Sequence, residues 1–140
     1  MRNSVLFIVL ILFVSIFFVG CNSEPINLEG SSWKLESYVN NLGHSVSPVS
    51  NTKMNLEFKD GRISGSSGCN SYFAKYTLEG KSLTFGLIGA TKMHCTNPAV
   101  MEQETTFLSS LALIKTFKVE GNKLKLIDGN GKVLLTFNKA

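Results

Sequence analysis

Four short segments that favour tight reversals punctuate the sequence: Asp60-Gly61, Glu79-Gly80-Lys81, Glu120-Gly121-Asn122 and Asp128-Gly129-Asn130-Gly131. Their glycines and Asx residues tolerate the positive φ that tight hairpins require. Between them, apolar residues alternate with polar ones: Trp33 and Leu35, then Met54, Leu56 and Phe58, then Tyr76 and Leu78, then Leu83 and Phe85. A period of two marks strands with one buried face. Further strands are expected over residues 117–119, 124–127 and 133–137, where the adjacent Leu134 and Leu135 suggest a strand covered on both faces. Hairpins at this spacing predict a mainly β domain built as an antiparallel meander.

One segment breaks the pattern. Asn97-Pro98 supplies an N-cap followed by proline at the first helical position, and apolar residues then recur at helical spacing. The spacing predicts an amphipathic helix over Pro98–Leu113, with Met101, Thr105, Leu108 and Ala112 on one stripe and Phe107, Leu111 and Ile114 beside it. It should pack on the sheet and close one end of the core. Glu102 and Glu104, two residues apart, do not face one another on a helix, and compensation of the helix N-terminal charge accounts for them. Residues 39–52, polar and interrupted by Gly43 and Pro48, are long for a hairpin loop. They are expected to form a mobile rim, functional or merely tolerated.

Ahead of the strands, residues 5–19 are apolar except for Ser15 and end at Gly20-Cys21, with Arg2 in front. A basic start, an apolar stretch of about fifteen residues and a small residue at the junction make a secretory signal, short of the roughly twenty residues a membrane span needs. The quartet Phe18-Val19-Gly20-Cys21 resembles the lipobox of bacterial lipoproteins, which implies cleavage before Cys21 and acylation of that cysteine. Several acyl chains anchor stably where one does not. The expected organisation is a signal peptide over residues 1–21, a polar tether over 22–27 and one domain over 28–140. The roughly 120 residues that follow Cys21 have room for one domain with a single core. Excluding Arg2, thirteen lysine and arginine residues face ten carboxylates, scattered along the chain, so no nucleic-acid footprint is implied.

Export leaves Cys69 and Cys95 as the remaining cysteines, and an oxidising compartment favours a disulfide between them. Two rival readings use the same residues. Cys69, His94 and Cys95 could begin a metal site, but a fourth ligand and a close-spaced ligand pair are missing. Cys95 could be a nucleophile activated by His94, but neighbouring residues on a strand point to opposite faces and no third residue orients the pair. There is no phosphate-binding glycine loop, nucleophile elbow or zinc-protease helix motif. His44 reads as a solvated loop residue. Tyr72, Phe73 and Tyr76 read chiefly as core, with a small groove near Cys69 as the other possibility.

Further motifs carry a family resemblance: Leu28-Glu29-Gly30-Ser31-Ser32-Trp33-Lys34-Leu35; Gly65-Ser66-Ser67-Gly68-Cys69-Asn70-Ser71-Tyr72 with the preceding residues 56–64; Gly89-Ala90-Thr91-Lys92-Met93-His94-Cys95; and Val100-Met101-Glu102. Together they resemble the META domain of HslJ-type bacterial envelope lipoproteins, from Leu28 to Phe137. The resemblance implies a meander curled into a partly closed barrel with one helix, a place in the envelope, and a link with heat shock and stress tolerance. It implies no catalytic residue and no cofactor. Gly68, Asn70, Tyr72, Thr91 and Met93 are the motif positions with a possible binding role. The glycines before Cys69 permit a turn or bulge, and Asn70 could cap the backbone groups left unpaired. Alternatively, the small residues could leave a notch where a partner strand adds.

The expected protein is a non-enzymatic lipoprotein of the outer membrane, facing the periplasm, that binds an envelope protein or a small apolar or peptide-like ligand. The competing expectation is a thiol-redox protein or enzyme using Cys95 and Cys69 with His94.

Overall fold

The computed structural model describes residues 25–140. Cys21, the apolar run before it and the first three residues of the expected tether lie outside the described residues. Residues 25–27 are exposed and have no regular secondary structure, and Leu28 is the first buried side chain.

Ten strands and one helix follow: β1 (Ser32–Val39), β2 (Ser45–Val46), β3 (Asn55–Lys59), β4 (Arg62–Ser66), β5 (Ser71–Glu79), β6 (Ser82–Phe85), β7 (Gly89–Ala90), α1 (Pro98–Leu113), β8 (Ile114–Glu120), β9 (Lys123–Asp128) and β10 (Val133–Lys139). Eight of the strands form a closed ring in the order β1, β3, β4, β5, β6, β8, β9, β10 and back to β1, with every pair antiparallel. The meander therefore closes completely, beyond the partial closure implied by the resemblance, and the short strands β2 and β7 attach outside the ring to β1 and β5. Closure removes the open sheet edges that a flat meander would expose.

The turn segments act as their residue types require. Asp60 and Gly61 both have positive φ, 53° and 71°, in the two-residue β3–β4 hairpin. Of the positions expected to face inward, Trp33, Leu35, Met54, Leu56, Phe58, Leu83, Leu124 and Leu126 are buried, whereas Tyr76, Leu78 and Phe85 are half-buried; Ile63 is an additional buried position. Leu134 and Leu135 are both buried because the β9–β10 register shifts between Val133 and Leu135, leaving Leu134 as an extra residue opposite β9.

The helix has the predicted bounds. The Asn97 side chain accepts from the Ala99 N–H at 3.0 Å, and Pro98 follows at the start of the first turn. Its buried face differs from the predicted stripe. Val100, Gln103, Glu104, Phe107, Ser110 and Leu111 face inward, whereas Thr105 and Ala112 are exposed and Met101 and Leu108 are half-buried. A helical stripe chosen by apolarity alone misses polar residues that are buried because they are hydrogen-bonded. Phe107 bridges helix and barrel, edge-on to Tyr72 at 5.4 Å and to Phe137 at 6.3 Å between ring centroids.

The barrel has two different ends. The β3–β4, β5–β6 and β8–β9 turns gather at one, with both termini of the described chain: Gly30 N donates to Phe58 O and Ala140 N to Ser32 O. The helix covers the other end. There, residues 39–52 are held in place: the Val49 N–H donates to Gln103 Oε1 at 2.6 Å and Gln103 Nε2 donates to Thr52 Oγ1 at 3.3 Å.

Candidate functional site

The Gly65–Asn70 motif forms the turn between β4 and β5 directly under α1. Gly65 is required by close approach: a Cβ there would stand 2.1 Å from the Asn55 carbonyl oxygen. Gly68 has φ +110°, and a Cβ on it would meet Gln103 Nε2 at 3.0 Å. The turn so formed directs its N–H groups toward the helix.

Glu104 fills that position. Its Oε2 accepts from the Ser67 hydroxyl at 2.6 Å, the Asn70 N–H at 2.6 Å and the Cys69 N–H at 3.2 Å, while Oε1 accepts from Asn70 Nδ2 at 2.5 Å. Burial acts to raise the carboxyl pKa, and the hydrogen bonds from Ser67, Asn70 and Cys69 outweigh it, holding the group below its ordinary value. Glu104 is therefore a buried anion, 5% exposed, that accepts four hydrogen bonds, three at Oε2 and one at Oε1. Its expected role in compensating the helix N-terminus is corrected: the first turn contains no acidic residue, and Glu104 points into the barrel end instead. Glu102, exposed, reaches Asn41 Nδ2 at 3.4 Å.

Asn70 is the second centre. Its Oδ1 accepts from Thr91 Oγ1 at 2.8 Å and the Met93 N–H at 2.7 Å, and its Nδ2 donates to Met93 O at 3.2 Å as well as to Glu104. Two donors and two acceptor positions are the whole capacity of an amide side chain. Cys69 and Cys95 form a disulfide with Cα atoms 6.0 Å apart, fastening the segment after β7 to the same turn. The structure thus brings Gly68, Asn70, Thr91, Met93 and the two cysteines together, and adds Gln103 and Glu104, which lie outside the motifs, and Ser67, a motif residue to which no role was given. The missed signal was spacing: Gln103 and Glu104 lie three and four residues after Val100, on its face of the helix.

Other predicted positions lie elsewhere. Tyr72 faces the core and donates to the Asn55 carbonyl at 2.7 Å, burial pushing its phenol pKa upward. Phe73 is exposed against Gly89, and Tyr76 packs edge-on to Phe58 at the far end of the barrel. These three rings do not share a groove near Cys69: Phe73 faces the opposite side of β5 from Tyr72, and Tyr76, on the same side as Tyr72, lies four residues along the strand at the other end of the barrel. The notch imagined for an added strand is likewise corrected, since Glu104 occupies the free N–H groups and β4 is paired on both sides. His94 is exposed beside Cys95, and among the described residues no cluster of three or more His, Cys, Asp or Glu side chains could hold a metal ion.

A separate open groove of about 660 Å³ lies on the flank of α1. The β6–β7 connection, Phe85 to Ile88, forms one wall, and Leu108, Ser109 and Ala112 of α1 form the other. Leu87 is 99% exposed at its rim.

A closed eight-stranded antiparallel barrel, capped by one helix that is clasped to a Gly-Cys-Asn turn, defines the structural class. Residues 26–140 match the META domain, and the chain belongs to that family. Among solved structures it is similar to a Burkholderia xenovorans protein determined by NMR, with 29% identity, a TM-score of 0.68, and coverage of 84% of this chain and 90% of that one. A second NMR structure is similar at 26% identity and a TM-score of 0.62, covering 82% and 93% of the two chains. A crystal structure of a DUF4847 family protein from Bacteroides vulgatus shares the fold at 16% identity and a TM-score of 0.54, over 79% and 93%. A search of curated proteins finds no match.

Proposed function

We propose that this protein is a non-enzymatic envelope lipoprotein, anchored through an acylated Cys21 and exposed to the periplasm, whose META domain binds another protein or an apolar or peptide-like ligand in stress tolerance. The observation that carries the non-enzymatic reading is the saturation of the motif cluster. Glu104 and Asn70 are hydrogen-bonded to each other, to the Ser67 and Thr91 hydroxyls and to the backbone, and both thiols are spent in the disulfide. A nucleophile needs a free thiolate, which the disulfide removes, and Glu104 is buried and already accepts four hydrogen bonds.

The chain's entry point supports the anchoring reading. Residues 25–28 approach the barrel at the end opposite α1, so a lipid anchor at Cys21 would hold the helix-capped end away from the membrane surface. Among the described residues, no helix is long and apolar enough to cross a membrane.

The test is the intact mass of envelope-extracted protein after thiol alkylation, with and without prior reduction. An acylated N-terminal Cys21, with Cys69 and Cys95 labelled only after reduction, is the expected result. Labelling without reduction would overturn the structural role of the cysteines and restore the thiol-redox alternative with His94.

A further inference from the structure

The exposed charges are unevenly shared around the barrel. The strand registers set Lys34, Asn138, Lys123 and Glu120 side by side across β1, β10, β9 and β8, and Ser37, Thr136, Lys125 and Lys118 side by side in the next outward row. With neighbouring strands about 4.8 Å apart, the two rows make a patch roughly 14 Å wide on the outside of the ring. Lys139 ends β10 at the same rim. Five lysines therefore meet two glutamates there, Glu120 and the bulged Glu36.

Those carboxylates do not cancel the lysines. Lys118 and Lys125 stand directly opposite one another, an unfavourable arrangement for like charges, and both reach the one carboxylate of Glu120 at 2.6 Å. Lys123 takes Glu36 at 2.6 Å, and Lys34 and Lys139 have no ion pair among the described residues. The other flank carries no such surplus: from Glu57 to Lys81, with Glu29 bonded to the β3–β4 turn, four cations meet four carboxylates.

The basic patch also lies at the end where the chain enters. Glu120 and Lys123 flank the β8–β9 turn, which shares that end of the barrel with residues 25–28. Cys21 precedes Leu28, the first buried side chain, by seven positions, a reach of at most about 25 Å for extended chain. An anchor at Cys21 would keep this rim that close to a bilayer, and the potential of anionic lipid, which acts within a Debye length of about 10 Å, attracts the flank with surplus positive charge.

We propose that the outward face of β8, β9, β10 and β1, centred on Lys118, Lys123 and Lys125, lies against a bilayer surface of anionic phospholipid and so sets the orientation of the anchored domain. Charge complementarity and the short tether together select this partner. The inference rests on the anchoring reading above.

The experiment uses the full chain in lipid nanodiscs whose headgroups carry a fluorescence quencher, with a dye attached at Asn138→Cys on the face or at Thr77→Cys, exposed on β5 directly across the ring. Discs of phosphatidylcholine alone are compared with discs that include phosphatidylglycerol. Phosphatidylglycerol should raise quenching of the dye at position 138 by about twofold or more without raising it at position 77, and about 1 M salt, where the Debye length is about 3 Å, should remove the difference. Lys118→Gln with Lys125→Gln should abolish the lipid dependence, whereas Lys59→Gln with Lys75→Gln, an equal loss of charge on the other flank, should preserve it. Equal quenching in the two lipids, or equal sensitivity to both pairs of substitutions, would overturn the proposal. The intact mass of the same samples reads the anchor separately. A lipid-dependent signal from a chain without acyl groups at Cys21 would support the face and overturn the anchor, and an acylated chain without that signal would do the reverse.

Discussion

Glu104 grips Asn70 twice: Oε2 accepts from the backbone N–H at 2.6 Å and Oε1 from the side-chain amide at 2.5 Å. The two residues are separated by 34 positions in sequence, and this contact joins the middle of α1 to the turn between β4 and β5. Removing the carboxylate strands the Asn70 N–H and the Ser67 hydroxyl in a buried place and the Cys69 N–H in a part-buried one, and each buried unsatisfied group costs about 1–3 kcal/mol. Glu104→Ala is therefore expected to destabilise the domain by about 3 kcal/mol or more, lowering the unfolding midpoint by on the order of 10 °C. Thermal unfolding of the oxidised protein measures this directly.

The same carboxylate gives stability a pH dependence of known sign. Its folded pKa lies below the ordinary 4.5, so the unfolded chain takes up a proton at higher pH than the folded one. The stabilisation is fully present above the unfolded pKa and is lost as pH falls from about 4.5 through the lower folded value. Urea midpoints measured from neutral pH downward should drop over that window. The drop should be smaller in Glu104→Gln, which has no carboxylate to titrate. An equal slope in both proteins would assign the acid sensitivity to other groups.

Asn70→Asp inverts this behaviour. A carboxylate at position 70 faces Glu104 across what is now a 2.5 Å hydrogen bond and also loses the amide donor to Met93 O. Two carboxylates at such a distance cannot both ionise comfortably. The variant should be several kcal/mol less stable at neutral pH, about 3 kcal/mol or more, and should recover part of that loss on mild acidification as the pair takes up one proton. Circular dichroism melts at neutral and mildly acidic pH distinguish this from simple loss of a side chain, which would not recover.

The disulfide reinforces the same corner by another route. It spans 26 positions, and closing a loop of that length removes about 3.5 kcal/mol of chain entropy from the unfolded state on the polymer estimate. Cys69→Ala with Cys95→Ala should lose about that much, measured by chemical denaturation. Asn70 still holds Thr91 and Met93, so the fold should persist.

Much of this architecture was legible because it follows from local chemistry. The turn glycines, the two-residue alternation of Leu56, Phe58, Leu124 and Leu126, and the Asn97-Pro98 start of the helix act within a few residues of one another, and each took the predicted form. Glu104 was not legible in that way. A glutamate in the early part of a helix is ordinarily a surface charge, and only the turn contributed by residues 67–70, distant in sequence, makes its burial favourable. Full closure was hidden for a similar reason: whether β1 and β10 meet depends on the accumulated twist of eight strands and on bulges such as that between Leu35 and Ser37, which no single segment encodes. The groove beside α1 was missed because it is made by strands that stop pairing.

Gly65 tests the close approach on which the clasp is built. It is not in the left-handed region, so an alanine there meets no backbone penalty of its own, but its Cβ would lie 2.1 Å from the Asn55 carbonyl oxygen and 3.1 Å from the Tyr72 hydroxyl. Neither neighbour can yield cheaply, because the Asn55 carbonyl accepts from Tyr72 at 2.7 Å and the Asn55 side chain accepts from the Ser66 N–H at 2.8 Å. Gly65→Ala must push β3 away from the β4–β5 turn and loosen the frame that presents Cys69 and Asn70 to Glu104. A loss of about 2–3 kcal/mol is expected, in the range of overpacked cores. Gly80→Asn is the matched control: Gly80 has φ +59° with nothing near its would-be Cβ, and asparagine tolerates that conformation. Denaturant titration should find the control within about 1 kcal/mol of the unmodified protein, and a comparable loss in both would mean that close packing at Gly65 does not hold the turn.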